Sequence, residues 1–180
     1  YDEEGSKVFE AITELEAYYP TRTEISILSA KGPEIAAGIG PGAVLVEPGA
    51  GALLKARLLL ATMDTPAAFA PGDISITHLE AAAVDLAAEF PDIPVHPFAL
   101  DFDGAIDLPA NIAALGPVTV FFPGSTIGNF EPDGAINLLK RFQAITNVKT
   151  LVIGADLKKD TGRLVRAYDD AQGVTAAFNM

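Results

Sequence analysis

The sequence contains no cysteine, which excludes both a disulfide framework and thiolate chemistry. Basic residues are also scarce. The sequence has 12 Lys and Arg and 24 Asp and Glu, which gives a net charge of −12 at pH 7. Binding to a phosphate backbone requires clustered positive charge, yet the basic pairs are limited to Lys140-Arg141 and Lys158-Lys159. The composition therefore argues against a nucleic-acid partner.

A signal peptide and an unbroken apolar run of about 18 residues are both missing from the sequence. We therefore expect a soluble, cytoplasmic protein that does not bind membranes. We also expect a monomer. His78 and His96 are the only histidines, and the H-E-x-x-H pattern of zinc sites does not occur, so no metal site is expected. Position 1 is Tyr1 rather than methionine, which suggests a fragment or a processed chain.

Hydrophobic residues make up 49% of the 180 positions, which is sufficient for one core and hence for a single domain. From Gly42 onward, short apolar runs alternate with stretches of helical character. This alternation predicts an α/β fold, in which a doubly wound, mostly parallel sheet is covered by helices on both faces. The predicted strands are 43–46, 67–70, 93–98, 118–122 and 149–154, and the predicted helices are 52–63, 75–89, 132–146 and 160–171.

The first 40 residues precede this alternation and have a different pattern. Two helices are predicted, over 1–15 and 21–30, and Thr21 and Glu24 have the spacing of a capping box at the start of the second. We expect residues 1–40 to form a helical lid segment over the rest of the chain.

The loop at residues 123–130, which follows the predicted strand 118–122, is the most informative segment of the chain. Its two glycines let the backbone come close to a bound molecule. Ligands of open α/β sheets lie outside the carboxyl ends of the strands, where this loop would lie. Taken alone, the loop is equally consistent with an ordinary strand-to-helix connection. Hydroxyl and amide groups that can orient a ligand are provided by Ser125, Thr126 and Asn129.

The predicted strand 43–46 leads into a glycine turn at residues 47–51, before a helix that begins near Ala52. This is a nucleotide-binding arrangement, since the glycines permit a tight turn and the helix presents free N–H groups. The dinucleotide fingerprint is incomplete, because Leu54 stands where its third glycine is required. No Lys-Ser or Lys-Thr follows the glycines, which excludes a P-loop.

Acidic residues stand at the ends of three successive predicted strands: Glu47, Asp73 and Asp101, the last followed by Phe102. A carboxylate beside the glycine turn would repel pyrophosphate, so Glu47 argues against a dinucleotide. Asp73 is placed to accept hydrogen bonds from two ribose hydroxyls, and Phe102 offers an aromatic face to an adenine. A solvated loop residue or a helix cap is the alternative interpretation for each acid alone.

Four segments of the chain match a known family, namely residues 1–6 (YDEEGS), 18–22 (YYPTR), 121–130 (FFPGSTIGNF) and 167–170 (AYDD). On these segments the chain resembles the histidine-specific, S-adenosylmethionine-dependent N-alpha-methyltransferases of ergothioneine biosynthesis. The similarity follows the expected order along nearly all 180 residues. The resemblance implies a Rossmann-like domain over residues 41–180 that binds S-adenosylmethionine, and transfer of methyl groups to the α-amine of L-histidine.

The resemblance also implies roles for individual residues. The histidine substrate would be held at its carboxylate by Asn129 and Tyr168 and near its imidazole by Tyr18. Gly124 would offer its carbonyl to the amine, while two further residues, Tyr1 and Thr126, would lie close to the transferred methyl group. The cofactor would be held at the glycine turn and at the ends of the next two strands, by Glu47, Gly49, Gly51, Lys55, Asp73, Asp101 and Phe102.

The sequence departs from the family around the glycine turn, where hydroxyl residues and a leucine are usual and Pro48, Ala50 and residues 52–54 (ALL) stand instead. The family also continues into a C-terminal lobe that supplies further groups to the imidazole, and we expect that lobe to be absent here. Two other functions stay open: methyl transfer to another small amine, and cofactor binding without catalysis.

Overall fold

The computed structural model describes residues 8, 11–102, 104, 106–170 and 173–175. The described part contains one sheet of five parallel strands, in the order β3-β2-β1-β4-β5, so the strand order reverses between β1 and β4. The predicted parallel α/β sheet is confirmed. The strands are β1 (Val44–Pro48), β2 (Ala68–Asp73), β3 (Phe98–Ala99), β4 (Val118–Phe122) and β5 (Val148–Ile153).

Helices follow the strands in the alternation that the sequence predicts, and a short helix at residues 110–113 was not predicted. Residues 11–14 are helical as well. No helix in this described part is long and apolar enough to cross a membrane. The named helices are α1 (Tyr19–Ile39), α2 (Leu54–Leu60), α3 (Ile76–Glu89), α4 (Ala110–Ala113), α5 (Pro132–Ala144) and α6 (Thr161–Tyr168), and a 3₁₀ helix covers Thr126–Asn129.

The sheet has a hydrophobic cluster on each face, because alternate strand residues point in opposite directions. Val44 and Val46 of β1 lie in a cluster with Leu138 and Phe142 of α5. Leu45, between them, lies in the opposite cluster, which contains residues of α1, α2 and α3. Burial of each leucine or phenylalanine side chain contributes roughly 1.5–3 kcal/mol, so both helical layers are held to the sheet by its central strands.

Most element boundaries differ from the prediction by a few residues, and two of these differences have a local cause. A strand was expected over 93–98, but β3 pairs with β2 only over its two residues, and Val95 forms an isolated bridge. Pro94 and Pro97 lack the N–H that a continuous ladder requires, so the pairing is interrupted at both positions. Helix α2 begins two residues later than expected, because Leu53 has left-handed backbone geometry, with φ of 60°.

Helix α1 is longer than the predicted helix 21–30, and it continues through Pro33. Gly32 packs so closely against Thr62 that a Cβ there would lie 3.1 Å from the threonine side chain. The helix therefore continues past a proline because its packing against the domain outweighs the lost hydrogen bond. The predicted capping box is wrong, since Glu24 lies inside the helix and its carboxylate contacts the loop after β4.

Candidate active site

The carboxyl edge of the sheet collects the polar residues that the sequence analysis singled out. Glu47 lies near the end of β1, Asp73 is the last residue of β2, and Asp101 comes two residues after β3. Asn129 belongs to the loop that follows β4. Because all five strands are parallel, these four positions share one edge, where the strand order reverses between β1 and β4.

The turn after β1 is held by backbone groups. Gly49 and Gly51 have φ angles of 71° and 53°, a region in which any Cβ is strained. The N–H groups of Gly49 and Ala50 both donate to the carbonyl of Gly72, over 2.7 and 3.1 Å. A Cβ on Gly49 would lie 3.0 Å from the ring of Phe102. The structure thus brings Phe102 against the glycine turn.

Asp73 braces the same turn with its side chain. One carboxylate oxygen accepts from the Gly51 N–H at 3.3 Å, and the other accepts from the Ser75 N–H at 3.0 Å. A carboxylate offers about four acceptor positions, so Asp73 can accept further hydrogen bonds from a ligand. Asp101, in the neighbouring loop, is exposed.

Glu47 is the buried acid of the site. Its residue is only 3% exposed, and its Oε2 has no hydrogen-bond partner in the described part of the structure. Burial raises the pKa of Glu47 well above its ordinary value; Lys55 opposes this rise, whereas Glu24 and Asp73 add to it. An unsatisfied buried acceptor is costly, so a ligand that brings a donor or a positive charge would stabilise it.

Lys55 lies where the glycine turn meets the loop after β4. Its Nζ is 2.7 Å from Glu24 Oε2, and the two side chains are 19% and 16% exposed. A Cβ on Gly124 would lie 3.1 Å from the same Nζ. Sequence reasoning missed Glu24 as a site residue, because its spacing from Thr21 indicated only a helix cap.

The loop after β4 turns sharply on two left-handed residues, Gly124 and Ser125, with φ of 84° and 58°. The Ser125 hydroxyl accepts from the Asp156 N–H at 2.9 Å. The Thr126 hydroxyl donates to a carbonyl three residues earlier, at 3.3 Å. Both hydroxyls therefore help to hold the loop in shape, while Asn129 is exposed at the end of the 3₁₀ helix.

Two predicted substrate-binding residues meet beside the start of α1. The rings of Tyr18 and Tyr168 pack edge to face with centroids 5.6 Å apart. Tyr18 is buried, whereas Tyr168 is 46% exposed. Partial burial raises the pKa of the Tyr168 hydroxyl, as do Tyr19 and Asp156, although a hydrogen bond with Tyr18 opposes the shift. Tyr168 is thus the solvent-exposed member of the pair.

Tyr19 joins α1 to the segment after β5, which sequence reasoning did not foresee. Its hydroxyl donates to the carboxylate of Asp156, which also pairs with Lys159. Burial opposes ionisation of Asp156, yet these hydrogen bonds outweigh it and lower the pKa. The charged groups of Lys159 and Arg163 lie 4.3 and 4.4 Å from the centroid of the Tyr19 ring. No local pattern relates Tyr19 to Asp156, because 137 positions separate them.

Two further expectations concern Tyr1 and metal ions. Tyr1, expected beside the transferred methyl group, lies outside the described residues. Among the residues that are described, no group of His, Asp and Glu side chains has an arrangement that could hold a metal ion. The groups available at the described edge therefore include carboxylates, hydroxyls, lysines, an arginine, aromatic rings, an amide and backbone atoms.

A parallel sheet with this strand order, ending in an acid-flanked glycine turn, defines the Rossmann-like class of α/β folds. The crystal structure of a candidate methyltransferase from Thermobifida fusca has this fold, with a TM-score of 0.60 and 13% identity, over 88% of this chain and 62% of that one. A family model described as histidine-specific methyltransferase, SAM-dependent, matches residues 1–180. The chain belongs to this family.

Curated relatives agree with the family assignment. The histidine N-alpha-methyltransferase of Mycolicibacterium smegmatis is 43% identical over 183 residues, and that of Mycobacterium tuberculosis is 37% identical over 183 residues. Each match covers 99% of this chain and 56% of the relative, so the chain spans about half the length of these proteins. The family resemblance predicted from the four sequence segments is confirmed.

Proposed function

We propose that the protein transfers methyl groups from S-adenosylmethionine to the α-amine of L-histidine. The observation that carries the proposal is the buried Glu47 at the glycine turn, whose Oε2 has no hydrogen-bond partner among the described residues, in a chain that matches the histidine-specific family throughout. This acceptor suits a ligand that carries an amino group and a positive sulfur, and it disfavours a ligand that carries phosphates.

The cofactor would lie against the glycine turn. Gly49 allows close approach of the backbone, and Asp73 has acceptor capacity left for two ribose hydroxyls. Asp101 and Phe102, in the next loop, would border the adenine, while Glu47 and Lys55 would face the charged end. Bound there, S-adenosylmethionine supplies a methyl group attached to a positively charged sulfur.

The histidine substrate would lie beside the loop after β4. The Gly124 N–H already donates to Glu24, so the group that this residue can present to an amine is its carbonyl. Asn129 and Tyr168 would hold the substrate carboxylate, and Tyr18 would lie near the imidazole. The contact between the two tyrosines supports this role, because it sets the position of the Tyr168 ring.

The chemistry requires little from the protein beyond orientation and a neutral amine. The pKa of a free α-amino group is about 8, so a fraction of the substrate amine is neutral near neutral pH after losing its proton to water, and no dedicated base is required. The Gly124 carbonyl would accept a hydrogen bond from this amine and orient its lone pair. Thr126 and the rest of the loop would then keep the nitrogen in line with the carbon that it attacks. Correct orientation of reacting groups can contribute roughly 7 to 11 kcal/mol to the lowering of the barrier.

Calorimetry and a methyl-transfer assay on the full chain test the proposal. S-adenosylhomocysteine should bind, histidine should bind once that product is present, and a labelled methyl group should move from S-adenosylmethionine to histidine. N-alpha-acetylhistidine, which lacks a basic amine, is the matched control substrate and should remain unlabelled. Cofactor binding without transfer of label to histidine would contradict the proposal. Transfer of label to another amine instead of histidine would contradict the proposed substrate, but not the methyltransferase activity.

A further inference from the structure

Glu24 lies at the candidate site, but the proposed reaction gives it no role. It lies in the second turn of α1, yet its carboxylate reaches the loop after β4. Both of its oxygens lie within hydrogen-bond distance of the Gly124 N–H, at 2.9 and 2.8 Å. Oε2 is also 2.7 Å from Lys55 Nζ. One carboxylate thus holds a backbone group from one half of the site and a side chain from the other.

The end of β5 leaves room for this carboxylate. Gly154 follows the strand, and a Cβ at this position would overlap Glu24 Oε1 and lie 3.2 Å from both Glu24 Cδ and the Cα of Pro123. The carboxylate is therefore enclosed by protein atoms on this side. A larger residue at position 154 would force it out of its place.

A second glutamate on the same helix shows that this contact is more than a surface ion pair. Glu34 pairs with Lys31 at 2.8 Å, but those side chains are 74% and 62% exposed, and such pairs contribute little to stability. The pair of Glu24 with Lys55 is much less exposed and includes a backbone donor. Removal of its carboxylate would leave a half-buried cation and an N–H without their partner.

We propose that Glu24 is a positioning residue, which sets the acceptor-amine site and the cofactor site at a fixed separation by holding Gly124 and Lys55 with a single carboxylate. This inference rests on the proposed function, in which the Gly124 carbonyl faces the amine and Lys55 belongs to the cofactor side. Glu24 acts through those two residues. Helix α1, which the sequence predicts to be part of a lid, therefore carries part of the framework of the site.

Two substitutions separate the two contacts. Glu24→Gln keeps a carbonyl oxygen for the Gly124 N–H but removes the charge that faces Lys55, whereas Glu24→Ala removes both. We expect Glu24→Gln to weaken S-adenosylhomocysteine binding by about three- to tenfold and to change histidine binding by less than about twofold. Glu24→Ala should weaken both, with histidine affinity reduced about tenfold or more. Glu34→Gln, in the same helix, is the matched control and should change neither.

The Gly124 amide supplies a readout that does not depend on activity. Its proton should keep its protection from hydrogen exchange in Glu24→Gln and lose it in Glu24→Ala, as measured by NMR. Gly154→Ala is a second route to the same result, because it displaces the carboxylate without altering its charge, and it should resemble Glu24→Ala in both affinities. Thermal unfolding of each variant reports any general loss of structure.

Two results would overturn the inference. In the first, Glu24→Gln weakens the binding of histidine and of S-adenosylhomocysteine as much as Glu24→Ala does. In the second, both Glu24 variants keep the two affinities unchanged, as the control Glu34→Gln does. If the wild-type protein binds and methylates histidine and either of these results is found, only the positioning role of Glu24 is contradicted. Wild-type protein that binds neither histidine nor S-adenosylhomocysteine would instead contradict the proposed function, and the inference with it.

Discussion

The two halves of the sheet edge are built in different ways. In the glycine-turn half, residues 49–51 follow directly on β1, and their N–H groups bond to the end of the adjacent strand β2. In the half that follows β4 and β5, Glu24 reaches Gly124 across 100 positions and Tyr19 reaches Asp156 across 137. The glycine turn itself is therefore held by local contacts, whereas the loop after β4 depends on the docking of α1.

The largest effect is expected at Glu47, the most buried acid of the glycine-turn half. Burial raises the pKa of Glu47 above the ordinary 4.5. Between the pKa of the unfolded chain and the higher pKa of the folded chain, the folded chain therefore keeps a proton that the unfolded chain releases. Over this pH interval Glu47 destabilises the fold increasingly as pH rises. Glu47→Gln removes the effect, so the variant should become more stable relative to wild type over that interval. Chemical unfolding at several pH values measures the difference, with the exposed Glu80→Gln as control. A difference that does not vary with pH would contradict the assignment.

Asp73→Ala should produce the next largest effect, confined to the cofactor side. Loss of acceptors for the ribose hydroxyls should weaken S-adenosylhomocysteine binding by roughly 1–3 kcal/mol. Isothermal titration calorimetry measures the change, and Asp92→Ala, at an exposed position before β3, is the matched control. An unchanged dissociation constant would rule out the ribose contact.

Gly49→Ala tests how the turn is held. A Cβ at positive φ costs about 1–2 kcal/mol, and here it would also press on the Phe102 ring. Gly51→Ala is the matched control, because φ is positive there too but a Cβ would meet nothing within 4 Å. The free energy of unfolding should fall further for Gly49→Ala than for Gly51→Ala. Equal losses would mean that the Phe102 contact is unimportant to the turn.

The smallest effect is expected on the acceptor side, where Asn129 is exposed. Asn129→Ala should weaken histidine binding by about 1 kcal/mol, the usual contribution of one hydrogen bond, and leave S-adenosylhomocysteine affinity nearly unchanged. Calorimetry in the presence of S-adenosylhomocysteine measures it, with the exposed Asn137→Ala of α5 as control. If both affinities fall together, the loop has a structural role and the two halves are not independent.

The fold could be predicted where the sequence pattern has a local cause. Strand β4 has its predicted bounds, 118–122, because four apolar residues and Thr119, all buried, are followed at once by a proline. Strand β3 could not be bounded in the same way, since Pro94 and Pro97 interrupt an apolar run that otherwise favours a strand. Hydrophobicity indicates where a strand can be buried, but backbone donors decide how far it pairs.

The site was predictable to the extent that it follows from topology. Once a parallel sheet is expected, acids at successive strand ends must share one edge, and Glu47 and Asp73 are close enough to influence each other. Glu24 and Tyr19 could not be found in this way, because their partners are distant in the chain. Tyr19 lies in one of the segments that carry the family resemblance, but the resemblance gave it no role. Family resemblance, rather than spacing, singled out Tyr18 and Tyr168.

The space beside Gly154 has a consequence for how such chains diverge. An alanine at this position and a glutamate at position 24 cannot both keep their places, since they would occupy the same volume. Lineages that replace one of the two should therefore carry a compensating change at the other, and an ancestor with alanine at 154 would be expected to have a shorter residue at 24. We therefore expect positions 24 and 154 to covary, although 130 positions separate them in the sequence.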